Sequence, residues 1–586
     1  MKPLRVSVFL IVTLMAISCA ASSNSALSGR SGLATDRAIE ANAYSDYLVA
    51  RFAAMTNDPK TAAIRYATSV ETAPVDSGTS ERAVFSSLLA GDYESANKLA
   101  KKASETGSQA TLVRLTLAVD ALKQGDPALA REYIDAAPFA PFNRTVARQL
   151  SAWSYAADGQ HEVAEEYLTH DLSGDPALDG AILYQIGLIQ MADRRDDDAL
   201  KTFDILWESG ARLAVGVHAH AELLASKGQS ERAMQILSEF EATVGTNASL
   251  SNLRMRIAKN ADIRPARMSA TEGAALAIYV PAAALMSQTS DDLSGVYFVL
   301  ALALDKDLHV ARALWAQSLD NANRRDEAIA VLREIPKSSE FYATAQGQMA
   351  WALRREERNA EALDVAATAL GAEGDRSLKI QLADLYRSLD RLSEADVLLT
   401  KIIDADLAAG RSDWRLLFAR GAAREQLGLW DSAELDLRAA LIEQPENATI
   451  LNYLGYSYVS RGLNLTEGFE LIRKAAYREP RSGFIIDSLG WAHYQLGEYE
   501  QAVVYLERAV ELEPGDAELN DHLGDGYWQV GRKIEARFRW ERAVKLMPEG
   551  EEREAVYQKI TSGLLMPDQR STEAVVHNAP IVSINP

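Results

Sequence analysis

Three segments between Ala448 and Gly550 decide the fold: LNYLGYSYVSRG at 451–462, IIDSLGWAHYQLGEYEQA at 485–502 and NDHLGDGYWQVGRKIEA at 520–536. Their Leu-Gly pairs, Leu454-Gly455, Leu489-Gly490 and Leu523-Gly524, lie 35 and 34 residues apart. Tyr458, His493 or Tyr527 follows each pair, and then comes a second glycine at Gly462, Gly497 or Gly531. A small residue comes next (Gly468, Ala502, Ala536), then an alanine seven on (Ala475, Ala509, Ala543), and Pro480, Pro514 or Pro548 ends the unit. Small residues let two helices approach closely, the mid-unit glycine ends the first helix at little steric cost, and proline, with no N–H to donate, stops the second. One such unit cannot bury its apolar face alone, so the units must stack.

The small-residue marker extends the frame through the chain. Ala62, Ala96, Ala130, Ala164, Ala199 and Ala233 fall 34, 34, 34, 35 and 34 residues apart, and the ladder resumes at Ala328, Ala362, Ala395 and Ala433. These residues resemble the tetratricopeptide repeat, a helix-turn-helix of this period. Unit starts near 43, 77, 111, 145, 180, 214, 273, 309, 343, 376, 414, 448, 483 and 517 give about fourteen hairpins. The fold expected is an all-α solenoid, which the resemblance implies is a right-handed superhelix, in two segments. The arrays span 43–247 and 273–550, with an irregular linker or hinge at 248–272 where NADIRPARMSA breaks the frame. Pro281 falls inside the first helix of the unit after the break, so that helix is expected to be kinked or short. A capping helix at 551–566, with Ala555, Val556, Ile560 and Leu564 or Leu565 inward, and a loose tail at 567–586 close the chain.

Residues 1–18 read as a signal peptide: Lys2 and Arg5 precede an apolar run, Val6 to Ile17, too short to span a membrane as a mature helix. Ala16-Ile17-Ser18-Cys19 resembles a bacterial lipobox, which implies acylation of Cys19, the single cysteine; cleavage after Ala21 is the alternative. Ala20 resembles the outer-membrane sorting preference of such lipoproteins, so the protein is expected to face the periplasm, anchored or, on the alternative, soluble there. Residues 19–42, rich in Ser, Ala, Gly and Asn, read as a flexible tether.

The formal charge of −21 argues against nucleic acid or an anionic lipid surface as the main partner. Eight histidines include no zinc-protease pair, and His218 and His220 point to different faces of a helix. His493 takes the slot of Tyr458 and Tyr527 and reads as a packed core residue. No Walker loop, nucleophile elbow or free thiol is present, so the reading is non-enzymatic, with no catalytic residue, metal or cofactor.

Recognition is what remains. The resemblance implies that the first helix of each unit lines an inner groove, which assigns partner binding to Asn452, Tyr456, Asp487, Trp491, Tyr494, Asp521, Asp525 and Trp528. An acidic and amide column flanked by rings suits an extended peptide; the alternative is that these residues cap helices and pad unit interfaces. Related repeats that capture a C-terminal carboxylate use Lys and Arg, the opposite sign. The segment from about Trp414 to Pro548 is also similar to the C-terminal repeats of proteobacterial envelope tetratricopeptide lipoproteins. Some of these are adaptors for periplasmic carboxyl-terminal processing proteases, which implies an interaction scaffold whose partner is such a protease or its substrate. A structural scaffold for envelope assembly or polysaccharide export is the second reading.

Overall fold

The computed structural model describes residues 30–564, apart from 73–76, 136–138, 140, 246, 287–290 and 371–375. The signal peptide, Cys19, Leu565 and the tail read at 567–586 lie outside the described residues. Thirty α-helices and no strand occur among those described. None of the helices is long and apolar enough to cross a membrane. Packing divides the chain into two compact units, one ending at Tyr342 and the other starting at Ala343.

The first unit opens with six antiparallel hairpins: α1 (Arg30–Met55) with α2 (Pro59–Thr72), α3 (Ser77–Leu89) with α4 (Tyr93–Glu105), α5 (Thr111–Lys123) with α6 (Pro127–Asp135), α7 (Pro141–Ala157) with α8 (His161–Thr169), α9 (Pro176–Ala192) with α10 (Asp196–Glu208), and α11 (Ala214–Ser226) with α12 (Ser230–Thr243). The ladder alanines Ala62, Ala96, Ala130, Ala164, Ala199 and Ala233 are all buried at the hairpin crossings. Helix α1 begins at Arg30, so the second half of the stretch read as a tether is helical.

The expected hinge lies inside this unit and is tied down. Helix α13 (Ala248–Ala258) packs on α11 and α12, and the chain after it is anchored by Arg267, which donates to both Asp196 oxygens at 2.6 and 2.8 Å and to the Met191 carbonyl at 2.7 Å. A capping box between Ser269 and Glu272 then starts α14 (Ala270–Leu285), which continues for sixteen residues past Pro281 and does not stop short there. With α15 (Asp291–Leu304) it lies along the first helices of the hairpins: α14 packs on α7 and α9, α15 on α3 and α5. Helices α16 (His309–Asn321) and α17 (Arg325–Arg333) complete the unit.

This return is possible because α14 and α15 are apolar on nearly every side, so both must be buried. Gly273 sits flat on the indole of Trp153, where a Cβ would come within 2.3 Å of the ring. The Tyr297 hydroxyl donates to Asn143 while its ring meets Phe142 edge-on at 5.0 Å. Arg324 donates to the Leu89 carbonyl and Asn57 to the Ala322 carbonyl. One continuous core therefore runs from Ala50 to Ala311.

The second unit is a regular run: α18 (Tyr342–Arg355) with α19 (Asn359–Leu370), α20 (Arg376–Ser388) with α21 (Leu392–Ala408), α22 (Trp414–Gln426) with α23 (Trp430–Glu443), α24 (Ala448–Ser460) with α25 (Leu465–Arg478), α26 (Gly483–Gln495) with α27 (Tyr499–Leu512), and α28 (Ala517–Gln529) with α29 (Lys533–Leu546). Its Leu-Gly glycines act by absence of bulk, since a Cβ on Gly490 would stand 2.8 Å from Leu506 and one on Gly524 2.4 Å from the Trp540 indole nitrogen. Helix α30 (Glu551–Ser562) caps the array on α29. It buries Val556 and half-buries Ile560 and ends at Ser562, with Leu564 half-buried just beyond it, whereas Ala555, expected inward, is exposed because it lies just off that stripe.

Candidate functional site

Helices α24, α26 and α28 pack side by side, each the first helix of its hairpin, and carry the eight residues assigned to binding. At the centre, the Nδ1 of His522 stands 2.7 Å from the Asp487 Oδ2. Burial works against a charged imidazole there, but Asp487, its hydrogen bond and the nearby Glu518 and Asp521 outweigh it and raise the ring to about 9. At neutral pH His522 is therefore an imidazolium and the donor in this bond. Trp491 stacks on that ring at 4.1 Å and on Tyr494 at 4.6 Å, the latter within 5° of parallel. A cation against an indole face adds about 0.5–2 kcal/mol, more when dry.

Acceptors exceed donors on this face. Asp487 is only 4% exposed, and its Oδ1 is buried without a hydrogen-bond partner, as is the Oδ1 of Asn452 on α24. Glu518 stands 3.9 Å from the Nε2 of His522, and burial, with Asp487, Asp516 and Asp521 adding repulsion against the His522 charge, lifts its carboxyl to about 7. Burial and the carboxylates of Glu518, Asp487 and Glu425 push the Tyr456 phenol well above its ordinary value. Glu425 on α22 is already engaged, accepting from Arg461 at 2.5 Å and Tyr453 at 3.3 Å.

At the end of the column Asp521, Asp525 and Trp528 already have partners within the chain, in α30 and in Gly563 just after it. Lys559 Nζ lies 2.8 Å from both Asp521 oxygens and 2.9 Å from both Asp525 oxygens. Asp525 also accepts from the Trp540 indole at 2.9 Å, and burial and Asp521 raise its carboxyl to about 6 despite Lys559. Trp528 packs on Trp540 and against Gly563, where a Cβ would come within 2.1 Å of its ring. Asn452, Tyr456, Asp487, Trp491 and Tyr494 remain together as one face, Tyr494 accepting a single bond from Gln529 at 3.1 Å.

Sequence reasoning missed His522, Glu518 and Lys559. The signal for the first was its place directly after Asp521, which lies one period after Asp487; nothing in the period announced the lysine. His493 is packed as expected, stacked on Tyr505 at 5.2 Å, edge-on to Phe469 at 5.0 Å and paired with Glu498 at 2.6 Å. His220 is buried 2.9 Å from Asp204. Among the described residues no group of three or more His, Cys, Asp or Glu side chains is placed to hold a metal ion.

Residues 488–516, which include the Trp491 and Tyr494 positions, match the tetratricopeptide repeat family. The chain thus carries a tetratricopeptide repeat at 488–516. A TPR repeat-containing protein of Pseudomonas aeruginosa is 36% identical over 99 residues, a match that spans 17% of this chain and 17% of that protein. Among solved structures, the Cut9–Hcn1 hetero-tetramer of the APC/C is 14% identical, covering 83% of this chain and 96% of its own at a TM-score of 0.36. A tetratricopeptide repeat protein from Parabacteroides merdae is 16% identical, covering 43% and 92% at 0.34. MamA from MSR-1 is 24% identical, covering 29% and 95% at 0.25. Tetratricopeptide arrays mediate protein–protein interaction, and the repeat is in general a scaffold for binding and not for catalysis.

Proposed function

We propose that the protein is a non-enzymatic adaptor of the bacterial envelope, held at the outer membrane by an acyl chain on Cys19, that carries a periplasmic carboxyl-terminal processing protease or its substrate on the α24–α28 face. One observation supports this face: the buried Asp487 Oδ1 has no donor although its other oxygen bonds His522, the ring stacked on Trp491. In the first unit the corresponding helices are covered by α14 and α15. The signal peptide and lipobox reading supports the location, and the similarity of residues 414–548 to envelope adaptors supports the partner class.

Capture of the acylated protein with its partners from envelope extracts tests the reading. Recovery of a serine-type processing protease is expected; recovery of export machinery in its place would overturn it. Cys19→Ser should abolish labelling by a radioactive fatty acid and release the chain from the membrane fraction, and persistent labelling would defeat the anchor.

A further inference from the structure

The α24–α28 face has an internal template for what it binds. Lys559 brings one ammonium within hydrogen-bond distance of all four carboxylate oxygens of Asp521 and Asp525. Its own helix supplies this cation from outside the repeats, as a partner segment would.

One repeat earlier the same helix positions hold Asp487 in place of Asp521 and Trp491 in place of Asp525. There the charge is incompletely met. Asp487 gives one oxygen to His522 and leaves the other, in a side chain more than nine-tenths buried, without a partner. Glu518 has an imidazolium nitrogen at 3.9 Å, beyond a hydrogen bond. Asn452 Oδ1 adds a second buried acceptor from the neighbouring helix α24. Acceptors left buried and unmet cost free energy that a donor recovers on arrival. Tyr456 and Trp491, both half-buried, supply apolar walls.

From this we infer that the partner presents a lysine or arginine side chain to Asp487, Asn452 and Glu518, so that the ligand class is a basic peptide segment with an adjacent apolar residue against Trp491. This rests on the reading of the α24–α28 face as the docking surface. A long cationic side chain is favoured over backbone amides because it brings several donors and a charge to a site with excess negative charge, and the strong bonds are those between charged groups.

The test is an array of short peptides of random sequence probed with the purified full chain, followed by fluorescence anisotropy on the best-retained peptide. Enrichment of Lys and Arg is expected. Asp487→Asn and, as a second variant should the first fail to fold, Glu518→Gln should each weaken that peptide about tenfold, the loss of one charge-assisted bond. Glu500→Gln, exposed at the start of α27, should leave affinity unchanged. Retained peptides without basic residues, or equal weakening by the Glu500 variant, would overturn the inference while leaving the docking face standing. No retention of any peptide would overturn both.

Discussion

The helices that begin the hairpins have opposite fates in the two units. In the first, α3, α5, α7 and α9 are covered by the chain's own α14 and α15 and join a mainly apolar core around the fully buried Trp153, a core that also buries Gln149 and Gln185, the latter accepting the Trp153 indole N–H at 2.7 Å. In the second, α24, α26 and α28 carry carboxylates, an imidazolium and rings, and among the described residues α30 covers the last of them. The two units share a repeat frame and a ladder of alanines, so the frame does not decide whether a groove is available. What decides it is whether the lining is apolar enough to recruit an apolar helix.

The largest effect expected from that contrast is on stability in the first unit. Trp153→Ala removes the platform under Gly273 and should cost about 3–5 kcal/mol, read as a lower urea midpoint with the far-UV spectrum of the folded baseline retained. An unchanged midpoint would show that α14 is not seated there. Next in size is an effect on binding without one on fold: Trp491→Ala with Asp487→Ala should weaken the partner by about 2–4 kcal/mol, as loss of a central aromatic anchor does, with helicity preserved. Loss of helicity in its place would make these residues packing elements like Trp153 and erase the difference between the units.

Asp487→Asn alone should lower stability by about 1–3 kcal/mol, because it leaves the imidazolium without its counter-charge. It should also bring the His522 titration down from about 9 toward or below 6.5, read from the ring proton shifts. The smallest effect is on pH dependence. His522 and Glu518 are both raised in the fold, to about 9 and about 7, so each contributes stability that is complete below its unfolded pKa and lost as pH rises through the folded one. The wild-type second unit should therefore lose stability steadily between pH 6.5 and 9, a loss that Asp487→Asn shrinks. In the first unit Asp196, held down by its bond to Arg267, has the opposite sign and weakens the fold as pH falls.

The hairpins were legible in the sequence because their determinants are local: a glycine that must fit under Leu506 or Trp540, an alanine at a crossing, a proline at a stop. The seating of α14 and α15 was not, because it depends on which surface lies opposite after the chain turns back, and the turn is fixed by Arg267 and Asp196, 71 residues apart. Pro281 pointed to a kinked or short helix, yet α14 runs its full sixteen residues, buried on most sides. Period also placed Asp487 and Trp491 on one face correctly. It could not show that Asp521 and Asp525 are taken, since Lys559 comes from a capping helix that has no counterpart in the repeat.

Hydrogen exchange on the full chain, with and without the best-retained array peptide, tests the central claim most directly. New protection is expected in α24, α26 and α28 and none in α3, α5, α7 and α9. Protection confined to the first unit's helices, or spread over the second helices of the hairpins, would contradict it.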